Sequence, residues 1–184
     1  MRKFEMADEA ILINRAPVLT LWASVVAERL GYDRAAALSL GKALAGLNAQ
    51  AKGRRLGIYE PKEREAGKPA KTTRPGDEIR VTLLGRPIPA KQTEKGVRAV
   101  DKDKPVEPEG VERYLGEKFG AALEDARKAM RALAKAFSPA ELNDLGFGLY
   151  ERFRPFIPEG VRGWGAKGEL DLAAIRTMAK KGGA

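Results

Sequence analysis

The two residue types behind most nucleophilic and metal chemistry are missing: the 184-residue chain contains no histidine and no cysteine. A Ser-His-Asp triad, a thiol nucleophile, a disulfide framework and a His/Cys zinc centre are therefore excluded. Catalysis would have to rest on Asp, Glu, Lys, Tyr, Ser or Thr. The acidic pairs give little help, since Glu124-Asp125 falls on a helix surface and Asp101/Asp103 in a charged loop. Two carboxylates without further oxygen ligands do not hold a hard cation. Gly163 to Gly168 fits G-x-G-x-x-G, but no strand precedes it and no βαβ unit surrounds it, so dinucleotide binding is rejected. The sequence assigns no catalytic residue, no metal and no cofactor.

What remains is cationic chemistry. Lys and Arg number 34 against 25 Asp and Glu, a formal charge of +9. Residues 1–51 and 105–184 each carry an excess of only one positive charge, whereas residues 52–104 carry an excess of seven. A focused basic region is the electrostatic footprint of contact with phosphates or another anionic surface. The alternative is a solvated segment whose lysines and arginines only keep it soluble. Arg80, Lys91 and Arg98 are expected to project from one face of the strands, with Arg86 and Lys95 at the turns and Lys52, Arg54 and Arg55 at the end of a helix.

The elements that must position these groups can be read from periodicity and punctuation. Residues 8–31 read as helix, in one or two pieces, because Pro17 suits a first helical turn. From Val18 to Leu30 the apolar positions cover most of the circumference, which predicts a buried helix with Trp22 as its largest side chain. Gly31 ends it, and Asp33 is a good N-cap for a second helix from Arg34 to about Lys52. Residues 60–78 hold almost nothing apolar and read as an exposed, flexible loop. Ile79, Val81 and Leu83 then alternate with polar residues as in a half-buried strand. Turns at Gly85-Arg86-Pro87 and Glu94-Lys95-Gly96 separate it from strands at about 88–93 and 97–101. Pro87 and Pro89 point to an edge position for the middle one. A long helix follows from Glu109 to about Phe137, with Gly116 and Gly120 as bending points. Ser138-Pro139-Ala140-Glu141 is a capping box opening a helix to Phe153. An irregular stretch from Arg154 to Gly168 and a helix from Leu170 to Lys180 complete the chain. Trp164 reads as a loop plug, and Phe147, Tyr150, Phe153 and Phe156 as a core stripe.

Ala27, Gly31, Ala37 and Leu40 have the spacing of many helix-turn-helix units: a small residue, a glycine four later, and apolar residues six and nine beyond it. The small residue lets two helices cross closely, and glycine takes the left-handed turn. The stretch AERLGYDRAAALSLGKAL thus resembles a helix-turn-helix motif, and the strands after it resemble a winged arrangement. The resemblance implies a second helix docked on a duplex and a hairpin along phosphates. Arg34, Ser39 and Lys42 are the polar side chains which that helix offers, among alanines, so sequence-specific readout is weak. An αα-hairpin within a bundle fits the same spacing.

These readings give an α+β, mostly helical fold with a helix-turn-helix-like pair and a small antiparallel hairpin or meander. The regions are 1–59 (helical), 60–78 (basic loop), 79–104 (hairpin) and 105–184 (helical), expected to form one globular domain. The expected function is non-catalytic nucleic-acid binding, duplex DNA first, through Arg34, Ser39, Lys42, Lys52, Arg54, Arg55, Arg80, Arg86, Lys91, Lys95 and Arg98. The alternatives are a protein-interaction or oligomerisation module using Gly41, Ala45 and Gly46, and an enzyme built on Lys, Glu or Tyr. No run reaches the roughly 18 apolar residues of a membrane span, and the acidic N-terminus does not read as a signal peptide. A cytoplasmic protein without a membrane partner is expected.

Overall fold

The computed structural model describes residues 10–55, 79–101, 104–156 and 167–183. Its centre is set by one helix. Strand β1 (Ala10–Asn14) leads directly into α1 (Arg15–Arg29), in which every residue from Pro17 to Ala27 is buried. Two of those eleven residues are polar, and each is satisfied within the helix. The Thr20 hydroxyl donates to the Ala16 carbonyl at 2.9 Å and the Ser24 hydroxyl to that of Leu21 at 2.9 Å. A helix buried on all sides needs neighbours on all sides.

The first neighbour is α2 (Arg34–Arg55). At the end of α1 the Tyr32 N–H donates to Ala27 O at 3.1 Å and the Gly31 N–H to Glu28 O at 3.0 Å. That bond pair is a Schellman stop, and Gly31 supplies its left-handed φ of +114°. Asp33 then caps α2, its Oδ1 accepting from the Ala36 N–H at 2.8 Å. Ala27, Ala37 and Leu40 are all buried between the helices, so the helix-turn-helix-like pair is present. Its helices, however, remain in backbone contact well beyond the turn. A Cβ built on Gly41 would lie 2.6 Å from Thr20 O and 2.9 Å from Ser24 N. The pair is a closely packed αα-hairpin.

The remaining elements close around it. A four-stranded antiparallel meander consists of β2 (Ile79–Leu83), β3 (Arg86–Thr93), β4 (Gly96–Asp101) and the short β5 (Lys104–Pro105), in that order. Helix α3 (Pro108–Phe119), a 3-10 turn (Gly120–Ala122) and α4 (Leu123–Lys135) follow. Helix α5 (Pro139–Phe153) comes next, with both bonds of the Ser138/Glu141 capping box made. Strand β6 (Lys167–Asp171) returns to pair with β1, and α6 (Leu172–Gly183) completes the described chain. The fold is α+β and mostly helical, and among the described residues the buried side chains of the two sheets and six helices join in one cluster.

Two devices lock the meander to the helices. The two-residue turn Leu84-Gly85 has φ of 54° and 77°, the geometry of a tight hairpin turn of the primed class. A left-handed leucine costs about 1–2 kcal/mol. Its burial in a notch over Gly146, where any Cβ would collide with the Leu84 side chain, offsets that with about 2 kcal/mol. The carbonyl of Gly146 also accepts from Trp22 Nε1 at 3.0 Å, so this point of α5 joins α1 and the turn. At the far edge, β4 presents Ala99 to α2. The Ser39 hydroxyl accepts from the Ala99 N–H at 3.0 Å, and Ala99 O accepts from the Val106 N–H at 2.8 Å.

Several sequence expectations are corrected here. Residues 10–14 are strand rather than helix, because they pair with residues 167–171, which had been read as irregular chain and helix start. The long helix from 109 breaks at Gly120, whose φ is +60°. Strand β3 is central rather than an edge. Its prolines cost no ladder bond, because β4 pairs only from Ala90 onward and the missing N–H groups of Pro87 and Pro89 face away from β2. Phe156 is not core: it is 72% exposed, in line with Glu169 and with Leu12, itself 69% exposed. Of the small residues offered for oligomerisation, Gly41 and Ala45 are buried within the chain, whereas Gly46 is exposed. The 60–78 loop and Trp164 lie outside the described residues, as do all of the 163–168 glycine motif except Lys167 and Gly168.

Gly41→Ala forces a Cβ against backbone and is expected to lower stability by about 1–3 kcal/mol. Gly46→Ala, on the same helix with nothing within 4 Å, should instead raise it by about 0.5–1 kcal/mol through helix propensity. Urea unfolding of both variants checks the pair, and equal midpoints would refute the close approach at Gly41.

Candidate functional site

Register sorts the meander into two faces, because residues directly opposite in an antiparallel pair share a face. Val81 lies opposite Ile88 and Ala90 opposite Ala99, all four buried against the helices. On the other face Arg80 lies opposite Pro89, Thr82 opposite Pro87, and Lys91 opposite Arg98. Arg80, Thr82, Pro87 and Pro89 are exposed and Lys91 half-buried, so no described element covers this face at those positions. Lys95 projects at the tip of the β3–β4 hairpin, where Thr93 Oγ1 accepts its N–H at 3.1 Å and donates to Gly96 O at 2.7 Å. Arg80, Lys91 and Lys95 form no ion pair with any of the described residues.

Two further cations of the meander have intramolecular roles. The Arg86 guanidinium lies 4.3 Å from the centroid of Phe147 on α5, a contact worth about 1 kcal/mol. Arg98 is only 8% exposed, and its Nη1 donates to Val97 O at 2.9 Å.

The residues expected on α2 are not gathered into a reading surface. Residues 36–41 are buried without interruption, which leaves that half of the helix no face to lay in a groove. Ser39 is fully buried and spends its hydroxyl on the Ala36 carbonyl and the Ala99 N–H. Arg34 is exposed but bridges to Glu112 at 3.4 Å, and the Lys42 ammonium sits 5.1 Å from the Tyr114 ring centroid. Lys52, Arg54 and Arg55 fall in the last turn of α2, their side chains outside the described ones.

Glu112 belongs to a cluster that the sequence did not reveal. Arg127 on α4, 3% exposed, donates to Glu112 at 2.8 Å and to Glu124 at 2.9 Å. Only the Glu124/Arg127 spacing, one helical turn, was visible in advance; Glu112 lies on a different helix. Burial pushes the Glu112 carboxyl up, but the hydrogen bond and charge of Arg127, helped by Arg34, outweigh it and hold the group below its ordinary value. Arg34 is thereby a tie between α2 and α3. Tyr150, the tyrosine of α5, is pushed up to about 12 by burial and donates to Arg15 O at 3.4 Å. It is a neutral core group, unsuited to general-base work.

Among the described residues no three carboxylates converge as a metal site, and no helix is long and apolar enough to cross a membrane. The arrangement offers fixed positive charge on an open sheet face. Anion contact is the chemistry that such a surface can do.

Because the Glu112 value is lowered on folding, its stabilisation is complete above the unfolded value near 4.5 and is lost as pH falls through the lowered folded value. Glu112→Gln should therefore flatten the acid limb of the stability–pH curve, measured by urea unfolding from neutral pH downward. A variant with the same acid limb as the parent would contradict the assignment.

Compared with protein-family models, with curated proteins and with solved structures, the chain matches none.

Proposed function

We propose that this chain is a non-catalytic nucleic-acid-binding protein that holds phosphates on the outward face of its four-stranded sheet. The observation that carries the reading is the row of cations on that face: Arg80, Lys91 and the hairpin-tip Lys95, without carboxylate partners among the described residues. The charge of the sequence supports it, since residues 52–104 hold an excess of seven positive charges. Lysines and arginines that are not neutralised within the fold are free to displace the counterions of a polyanion. The contact surface proposed is the sheet and not α2, whose buried first half leaves no recognition face.

Such a surface makes few demands on base identity. Phosphate contacts set register and orientation, while specificity needs side chains at base edges. Duplex DNA is the proposed ligand, bound with little sequence preference. A cytoplasmic location goes with the proposal.

The test is a fluorescence-anisotropy titration of unrelated DNA duplexes against the parent and the Arg80→Ala/Lys91→Ala/Lys95→Ala variant over a range of salt. The variant should bind every duplex more weakly by a similar factor. Its slope of log affinity against log salt should be shallower by about 0.9 per contact removed, close to three units for all three. The Lys42→Ala variant should bind as the parent does. Unchanged affinity and slope in the triple variant would exclude the sheet face, and no binding at low salt would exclude the function.

A further inference from the structure

Arg98 does not fit the pattern of the other cations. A guanidinium that is nine-tenths buried usually meets a carboxylate, as Arg127 does. Arg98 meets none within ion-pair distance among the described residues, and its one hydrogen bond runs from Nη1 to the carbonyl of its neighbour Val97. Its Nε and Nη2 therefore have no acceptor among the described residues. Neither is sealed from solvent: Asn143 Oδ1 is the only fully enclosed side-chain N or O atom lacking a partner among the described residues. The reason is a cleft of about 300 Å³ that Arg98 lines.

The cleft lies between the β3–β4 hairpin tip, at Thr93, Glu94 and Lys95, and the segment through Val106 and Glu107 that enters α3. Glu107 is the N-cap of α3 and its side chain caps no N–H; because Pro108 has no N–H, the first free donors of this twelve-residue helix are those of Glu109 and Gly110, just beyond the residues that line the cleft. The positive end of that helix and the guanidinium both favour an anion. Gly96 lies beside the guanidinium: a Cβ there would be 3.6 Å from Arg98 Nη1 and 3.8 Å from Asp33 Oδ2.

We propose that this cleft is a subsite for a singly charged phosphodiester, whose two free oxygens take the Nε–H and Nη2–H of Arg98. Guanidinium presents those two donors in parallel, the geometry that matches two oxygens of one phosphate. The number of ligand charges follows from the wall. Lys95 and Arg98 are balanced by Glu94 and Glu107, with the Asp33 carboxylate close behind. The wall adds no net positive charge, so the ligand is held by the paired Arg98 donors; a diester brings one negative charge against those carboxylates and a dianionic monoester two. The ligand named rests on the nucleic-acid reading above, in which the phosphodiester is one link of a bound strand. The cleft itself does not depend on that reading.

The experiment follows the Arg98 Nε–Hε NMR signal of the intact, ¹⁵N-labelled protein, assigned by its loss in Arg98→Lys. Three titrants are used: dimethyl phosphate, inorganic phosphate at a pH where it is dianionic, and a short DNA duplex. Dimethyl phosphate and the duplex should each shift the signal saturably, and inorganic phosphate should shift it more weakly. Arg98→Lys should cost about tenfold in duplex affinity with an unchanged salt slope, because the charge remains and only the paired donors are lost. If that variant does not fold, the titrations of the parent still decide. A signal unmoved by dimethyl phosphate overturns the subsite, even if the duplex binds. Saturation by dimethyl phosphate without any duplex binding supports the subsite and rejects the nucleic-acid reading.

Discussion

The structure depends on helix α1 being apolar on every side. Eleven consecutive residues, Pro17 to Ala27, can be removed from water only if other elements surround them. Helix α2 supplies one wall through backbone contact at Gly41, and α5 another through the Gly146 carbonyl that accepts from Trp22. Helices α3 and α4 and strand β2 also touch α1. The meander is held from two directions, by the buried Leu84 turn over Gly146 and by the Ser39 bond to Ala99. Its inner face is committed to the core, and its outer face is left over. The same packing buries residues 36–41 of α2. Function is therefore sought on the sheet because of where the core is.

Charge follows the same division. Where cations touch the helical body they are used internally: Arg127 on Glu112 and Glu124, Arg34 on Glu112, Arg86 on Phe147. On the outward sheet face they are not. Even with all 25 acidic groups paired, an excess of nine of the 34 basic groups would remain, and seven of that excess lies between residues 52 and 104. Arg98 stands between the two groups, buried like a structural arginine but without its carboxylate.

What was legible in the sequence was what depends on local signals. The Gly31 stop, the Asp33 cap, the Ser138/Glu141 capping box and the alternation of Ile79, Val81 and Leu83 all appear where they were read. The failures are tertiary. Ala-Ile-Leu-Ile-Asn at 10–14 continues smoothly into an apolar helix, and only its distant partner at 167–171 makes it a strand. Prolines normally mark an edge, but β4 stops short of Pro87 and Pro89, so a central strand accommodates them. Among candidate site residues, alternation placed Arg80 and Lys91 on one face. It could not show that Ser39 satisfies a strand edge, or that Arg98 lies buried at a cleft assembled from residues 93 to 107.

The central claim is that the outward face of the meander, and not helix α2, meets nucleic acid. The most direct measurement is a map of backbone amide NMR perturbations on the intact protein as a short DNA duplex is added at low salt. Perturbations are expected to concentrate in residues 79–83, 86–93 and 96–101, with residues 34–45 quiet. Perturbations centred on residues 34–45, with the strands unmoved, would contradict that claim.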